Sequence, residues 1–415
     1  MLTELQAIVG FLEDGGPGGR AGYFAALDKA VSAFEKALAY RADPPGESAL
    51  SLAGRLVNLL ESLPGGRKQK LERRVLARFL SRLCQAMQLR EEALEYARLH
   101  QRLTPEDSPL REAAGALTFL AKACYWSDDQ QGAVEYQRRA LDLLDRARER
   151  GELSEEDEKD CNAAYTVWAF RYAQNTCAWA EADRTFESAL GRARGWGDTG
   201  LLSAALILYA ESKMFQGEWE ACERLGAECA RTALAGPGEP VSDYPFWILG
   251  RALVHNGRAR EALPELERAV RIARDTGDAV GLSEALISRA EAFLAVGEKR
   301  KALENASVAL RVAEYARLGV NLDQVRIWRF WVETQADRTS AARHLEPLHR
   351  SLADFERLGL RSGWACALHA LGHALALCNR RETARFYLER AVRAFEEWDM
   401  HWHRKRAVES LKLVS

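Results

Sequence analysis

Three side chains near the C-terminal end of the sequence, Cys366, His369 and His373, stand three and four residues apart. On a helix that spacing puts them on one face, and a His-x3-His pair can hold zinc. No Glu stands between the histidines and no neighbouring motif offers further ligands. Two readings stay open: a metal pair, or histidines that pack in the core or line a groove. His401 and His403 are two apart and fall on different helix faces. A second group is basic. Arg74, Arg78 and Arg82 recur every four residues within the run 67–82. Such a stripe grips carboxylates or phosphates, or is simply a solvated helix face. It is a weak route to nucleic acid, because no wider basic surface accompanies it. The Gly-rich stretch 15–22 precedes a helical pattern, as a phosphate cradle does. It follows a helix rather than a strand, however, and carries no Lys-Ser or Lys-Thr pair. No G-x-S-x-G, H-E-x-x-H or H-x-E with C-x-x-C pattern occurs. The sequence therefore predicts a protein that is not an enzyme, with no resident metal and no cofactor.

What must position these residues is a repeat. Ala93, Ala133, Ala182, Cys222, Ala262, Ala302, Ala342 and Ala384 form a column at 40-residue intervals, stretched to 49 before Ala182 and 42 before Ala384. Seven positions further on stand His100, Ala140, Ala189, Cys229, Ala269, Ala309, His349 and Ala391. A fixed period of this size means stacked supersecondary units. Within a unit, apolar residues three, four and seven apart mark two helices, and Asn256-Gly257, Gly277 or Gly297 stop them. A small residue on the second helix lets its backbone come close to the first, where a larger one would overpack the contact. Pro264 and Pro347 fall early in second helices, which predicts a late start or a kink there.

The order Leu249-Gly250, Leu253, Ala262, Leu266, Ala269 resembles a tetratricopeptide repeat, as does Leu371-Gly372, Leu375, Ala384, Leu388, Ala391. The family period is about 34 residues with a Pro near its end; these units are longer, and a Gly-Asp or Leu-Gly pair opens the next one. Forty-residue units of this style resemble the sensor regions of bacterial MalT and LuxR-type regulators and of some peptide-sensing regulators. The resemblance spans roughly 70–395. It implies an all-α fold, a right-handed superhelical solenoid of about eight antiparallel helix pairs. The expected division is a helical cap or atypical repeat at 1–66, the solenoid at 67–397 and a capping helix at 398–415. In the first segment the pattern predicts helices near 3–13, 23–41 and 47–62. The charged run 146–160 predicts two neighbouring helices that extend beyond the stack, or an interaction tab.

A solenoid works through its concave wall, lined by the first helix of each pair. Eleven residues before each column residue stand Arg82, Lys122, Arg171, Glu211, Arg251, Glu291, Trp331 and His373. One turn earlier stand Arg78, Trp247 and His369, among apolar residues. With Arg74 these are the candidate partner-binding residues. Charge mixed with aromatic anchors suits a protein or peptide partner, and the resemblance adds a small-molecule effector of a regulatory module as the alternative.

Composition narrows the class further. A net charge of -2 exerts no general pull on nucleic acid or anionic membrane. No apolar run reaches membrane-spanning length, and the acidic start of the sequence does not read as a secretory signal. None of the eight cysteines forms a C-x-x-C pair, and Cys222 and Cys229 stand in for Ala in the repeat columns. Reduced, buried thiols and a cytoplasmic location are the expectation.

Overall fold

The computed structural model describes residues 54–58, 61, 67–86, 89–235 and 242–414. The Gly-rich stretch and the helices expected over 3–13 and 23–41 lie outside these residues, as does most of the one expected over 47–62. Among the described residues the chain is helical, without strands. It divides into two compact units, 1–158 and 159–415.

The first unit holds α1 (Arg67–Ala86), α2 (Arg90–Leu103), α3 (Leu110–Trp126), α4 (Gln130–Glu149) and the start of α5 (Glu155–Thr176). The helices α1 with α2 and α3 with α4 pack as pairs. Ala93, Ala97, Ala133 and Ala140 are fully buried at their contacts. The charged run at 146–160 is the end of α4, a short turn and the start of α5. Asp157 accepts from the backbone N–H and hydroxyl of Ser154 at 2.9 and 2.7 Å, capping α5. Arg148 on α4 reaches Glu158 at 2.8 Å and ties the two helix ends together.

The second unit continues with α6 (Trp179–Trp196), α7 (Thr199–Gln216), α8 (Trp219–Ala235), α9 (Tyr244–His255), α10 (Ala259–Thr276), α11 (Ala279–Ala295) and α12 (Lys299–Tyr315). Then come α13 (Val320–Ala336), a 3-10 segment (Arg338–His344), α14 (Leu345–Leu358), α15 (Arg361–Leu377), α16 (Arg381–Glu397) and α17 (His401–Leu411). Each helix packs on its neighbour in sequence, and α9, α11 and α13 also touch one another in series. The Gly-Asp pairs do the punctuation. Gly277, at φ 74°, closes α10 in the left-handed region that favours glycine. Asp278 then caps α11 by accepting from the Gly281 N–H at 3.0 Å.

The small-residue column is the inter-helix contact. Ala182, Cys222, Ala262, Ala302 and Ala384 are each fully buried. In the seventh pair the column slips by one residue: Ala341 and Leu348 are buried, while Ala342 and His349 are exposed. The cause is the 3-10 segment, whose three residues per turn shift the phase set by an α-helix. It also delays α14 to Leu345, so Pro347 falls in a first turn, where its missing N–H costs nothing. Pro264, by contrast, lies inside an uninterrupted α10.

Gly250 and Gly372 occupy equivalent positions on first helices. A Cβ at Gly250 would stand 2.5 Å from Leu266 Cγ, and one at Gly372 2.8 Å from Leu388 Cγ. Gly250→Ala is therefore expected to destabilise the second unit by about 1–3 kcal/mol, the cost of overpacking. Gly191→Ala, on the exposed face of α6 with open space around it, is expected to stabilise it by about 0.5–1 kcal/mol. Paired thermal melts read both; a shift of the same sign for the two would contradict the close-contact account.

Candidate functional site

In the second unit the last helix does not stop at the end of the stack. It packs on α15 and α16 and also reaches α7. Trp402 stands edge-on to Trp219 and His255, with ring centroids 5.3 and 5.2 Å away. Its Cβ would lie 3.0 Å from a Cβ placed on Gly217. His403 stacks on Phe395 at 5.3 Å, and Cys366 Sγ lies 3.8 Å from its Nδ1. Arg406 lies over the rings of Trp331 and Trp402, at 4.6 and 4.7 Å. Ser410, one turn on, meets His369 Nε2 at 2.9 Å and His373 Nδ1 at 2.8 Å.

Two cavities flank this helix. The smaller, about 60 Å³, is lined by Trp219, Arg251, His255, Glu291, Trp402 and Arg406 among others. The larger, about 490 Å³, lies between α13, α15 and α17 and is lined by Trp331, Thr334, Arg338, His373, Arg406 and Ser410 among others. Trp331, His369 and Arg406 border both.

The charges are arranged in pairs. Arg251 is 3% exposed; it donates to Ser288 Oγ at 3.1 Å, faces Glu291 at 3.5 Å and lies 3.7 Å over the Trp328 ring. Burial acts to raise the Glu291 carboxyl, but Arg251 and His255 outweigh it and hold Glu291 below the usual carboxylate range. The imidazoles go the other way. Burial, then the Arg406 charge, pushes His373 down to about 4, His403 to about 3 and His369 well below the usual value. All three are neutral at physiological pH, and burial raises the Cys366 thiol to about 12.

The structure brings together Arg251, Glu291, Trp331, His369 and His373 from four different helices. It gives the His-x3-His pair a common protein partner, Ser410. Glu211 lies apart from both cavities, among acids on α7, α9 and α11. Burial raises Glu211, and Glu284 rises for the same reason and because Glu211 is beside it. Asp243 is pushed up to about 7 by burial and by Asp278. Trp247 is fully enclosed and donates its indole N–H to Ser288 at 3.0 Å, so it packs rather than presents a surface. Arg171 is also buried. In the first unit Arg74 pairs with Glu112 and its backbone carbonyl meets His100 Nδ1 at 2.9 Å. Arg78 is exposed over Phe119, Arg82 half-buried and Lys122 exposed. Sequence reasoning missed Trp219, His255, Trp402, Arg406 and Ser410. The spacing of Trp402, Arg406 and Ser410 by four was the available signal for the last three.

No protein-family model and no curated protein matches the sequence. Solved structures do match in fold. A Rap protein complexed with competence and sporulation factor superposes with a TM-score of 0.60 at 13% identity, over 96% of this chain and 99% of that one. The Rap conjugation gene regulator of plasmid pLS20, in complex with the Phr* peptide, gives 0.56 at 12% identity, over 86% and 95%. The apo quorum sensor NprR from B. thuringiensis gives 0.52 at 11%, over 89% and 99%. At these identities the shared property is the helical-repeat fold.

The buried acids set a pH dependence. Glu211 binds its proton more tightly folded than unfolded, so its contribution to stability is full below the ordinary carboxyl value of 4.5 and is lost as pH rises from there through the raised value of about 8. Glu211→Gln removes that loss. It is expected to raise the melting temperature at pH 8.5 by about 2–4 °C, the shift given by about 1 kcal/mol in a unit of this size, with little change at pH 5. An equal shift at both pH values would refute the assignment.

Proposed function

From a tetratricopeptide-like helical-repeat chain whose last helix walls a recess, we propose a non-catalytic protein that binds a peptide or an extended protein segment. The binding surface is the groove of the second unit. The observation that carries this reading is the 490 Å³ recess beside Trp331. Its size falls in the range of ligand pockets, and it combines one large aromatic anchor with a few convergent polar groups. The ligand-facing residues in this reading are Trp331, His369 and His373, backed by the Arg251–Glu291 pair. Two of the solved structures similar in fold were determined with a bound factor or peptide.

The chemistry of the site supports binding over catalysis. A general base is tuned toward neutral pH and a nucleophilic thiol is activated by a lowered pKa. Here burial drives His373 to about 4 and the Cys366 thiol to about 12, away from both. Among the described residues no group of three or more metal-ligating side chains converges. The proposed compartment is the cytoplasm, supported by eight free thiols and by the lack, among the described residues, of any helix long and apolar enough to cross a membrane.

The second reading is a regulatory module that senses a ligand. It is favoured by α17, because a helix that forms one wall of a recess is displaced or clamped when the recess fills. Affinity selection with a synthetic hexapeptide pool, read by mass spectrometry, separates the two from a thermal-shift panel of sugars and nucleotides. Selected peptides are expected to bind the full chain, and Trp331→Ala to weaken them at least tenfold, about 1.4 kcal/mol, with the helical circular-dichroism spectrum retained. A pool that yields no enriched sequence, or a Trp331→Ala protein with unchanged affinity, would remove the peptide reading.

A further inference from the structure

We propose that Arg406 is the anchor for an oxyanion of the ligand, the terminal carboxylate of a peptide lying in the groove of the second unit. This rests on the peptide-binding reading above and adds which chemical group is recognised and where.

The argument begins with what Arg406 lacks. A guanidinium carries five N–H donors in a rigid planar fork and accepts nothing. Two other basic side chains set deep in this unit have oxygen partners. Arg251 has Ser288 and Glu291, and Lys213 has Asp183 and Gln216. Arg406 is half-buried, and its guanidinium makes no hydrogen bond or ion pair with another described residue; the Glu291 and Glu409 carboxylates act on it only through space. Its contacts are the rings of Trp331 and Trp402.

Those contacts engage the guanidinium through π-faces. No described protein oxygen accepts from its N–H donors, and the residue borders both cavities. A guanidinium held this way is partly desolvated and already oriented, so a planar carboxylate can take two parallel N–H bonds with little further ordering. A ligand oxygen entering the recess would supply the acceptors that the fold withholds.

The surroundings agree in charge. The 490 Å³ recess is bordered by Arg338 and Arg406 against one carboxylate, Glu409. Glu291, across the smaller cavity, pairs with Arg251 and acts on Arg406 only through space. His369, His373 and His403 are neutral, which leaves the recess with an excess of positive charge. His369 and His373 are already engaged with Ser410, so they shape the wall and leave the charge recognition to the two arginines.

The test uses the full chain, its tryptophan fluorescence and four probes: the hexapeptide pool as free acids, the same pool as C-terminal amides, sodium succinate and sodium phosphate. The free acids are expected to bind at least tenfold more tightly than the amides. Arg406→Gln should erase that difference and Arg406→Lys should keep part of it. Arg338→Gln, on the exposed rim where it cannot disturb the core, should weaken the acids severalfold without changing the melting temperature. Equal binding of acids and amides, or an acid preference that survives in Arg406→Gln, overturns the proposal while leaving the peptide reading intact. Binding of succinate or phosphate that depends on Arg406, with no peptide bound, supports the oxyanion site and assigns it to a free anion, at the expense of the peptide reading. No binding of any probe overturns both.

Discussion

The closest constraint in this molecule is the distance between paired helices. Ala182, Cys222, Ala262, Ala302 and Ala384 are fully buried where the second helix of a pair meets the first. At Gly250 and Gly372 the approach is closer still, with no room for a Cβ. Because these contacts are made with almost no side chain, the bulky residues are free to act elsewhere. Trp219, Trp328, Trp331 and Trp402 gather around the inner cavity instead of filling the pair interface. The scaffold is specified by its smallest residues, and the wall by its largest.

That division sets the electrostatics. A wall built of indoles and imidazoles has a low local dielectric, and charges placed in it must find partners or change protonation. The Arg251–Glu291–His255 group satisfies the first option: Arg251 and His255, with Arg406 acting through space, hold one carboxylate ionised. Glu211, Glu284 and Asp243 take the second and are pushed toward the neutral acid. Arg406 stays protonated without an ion pair; its guanidinium lies against two ring faces, and Glu291 and Glu409 act on it only through space. Groups with three different solutions to the same burial problem thus lie within a few helices of each other.

The repeat made the scaffold legible from sequence. The 40-residue column located the paired helices of both units, and counting back from it picked out Arg251 and Glu291, which border the smaller cavity, His373, which borders the larger, and Trp331, which borders both. The reading failed where a period changed or a partner was distant in sequence. Ala342 was misplaced because a 3-10 segment advances by a different angle from an α-helix. Trp247 was placed one turn from Arg251, yet it faces the neighbouring first helix, where Ser288 receives both side chains. The last helix was expected only to cover the end of the stack. Its pattern shows a stripe of Trp402, Arg406 and Ser410, but no local rule states that the stripe will meet α7, α13 and α15.

That inward turn also changes how the second unit holds together. In an open repeat array each helix pair depends on its immediate neighbours, so the ends fray first and stability falls off gradually along the chain. Here the indole N–H of Trp179 donates to the Trp398 carbonyl at 2.8 Å, across 219 residues of sequence. Arg361 reaches the Thr176 carbonyl at 3.4 Å over a comparable separation. Such contacts couple the earliest helices of the unit to the last, and they form only after long stretches of chain have ordered, which slows folding. The second unit should therefore open as one block, with amide protons exchanging at similar rates from its first helix to its last, rather than as a ladder that loses one rung at a time.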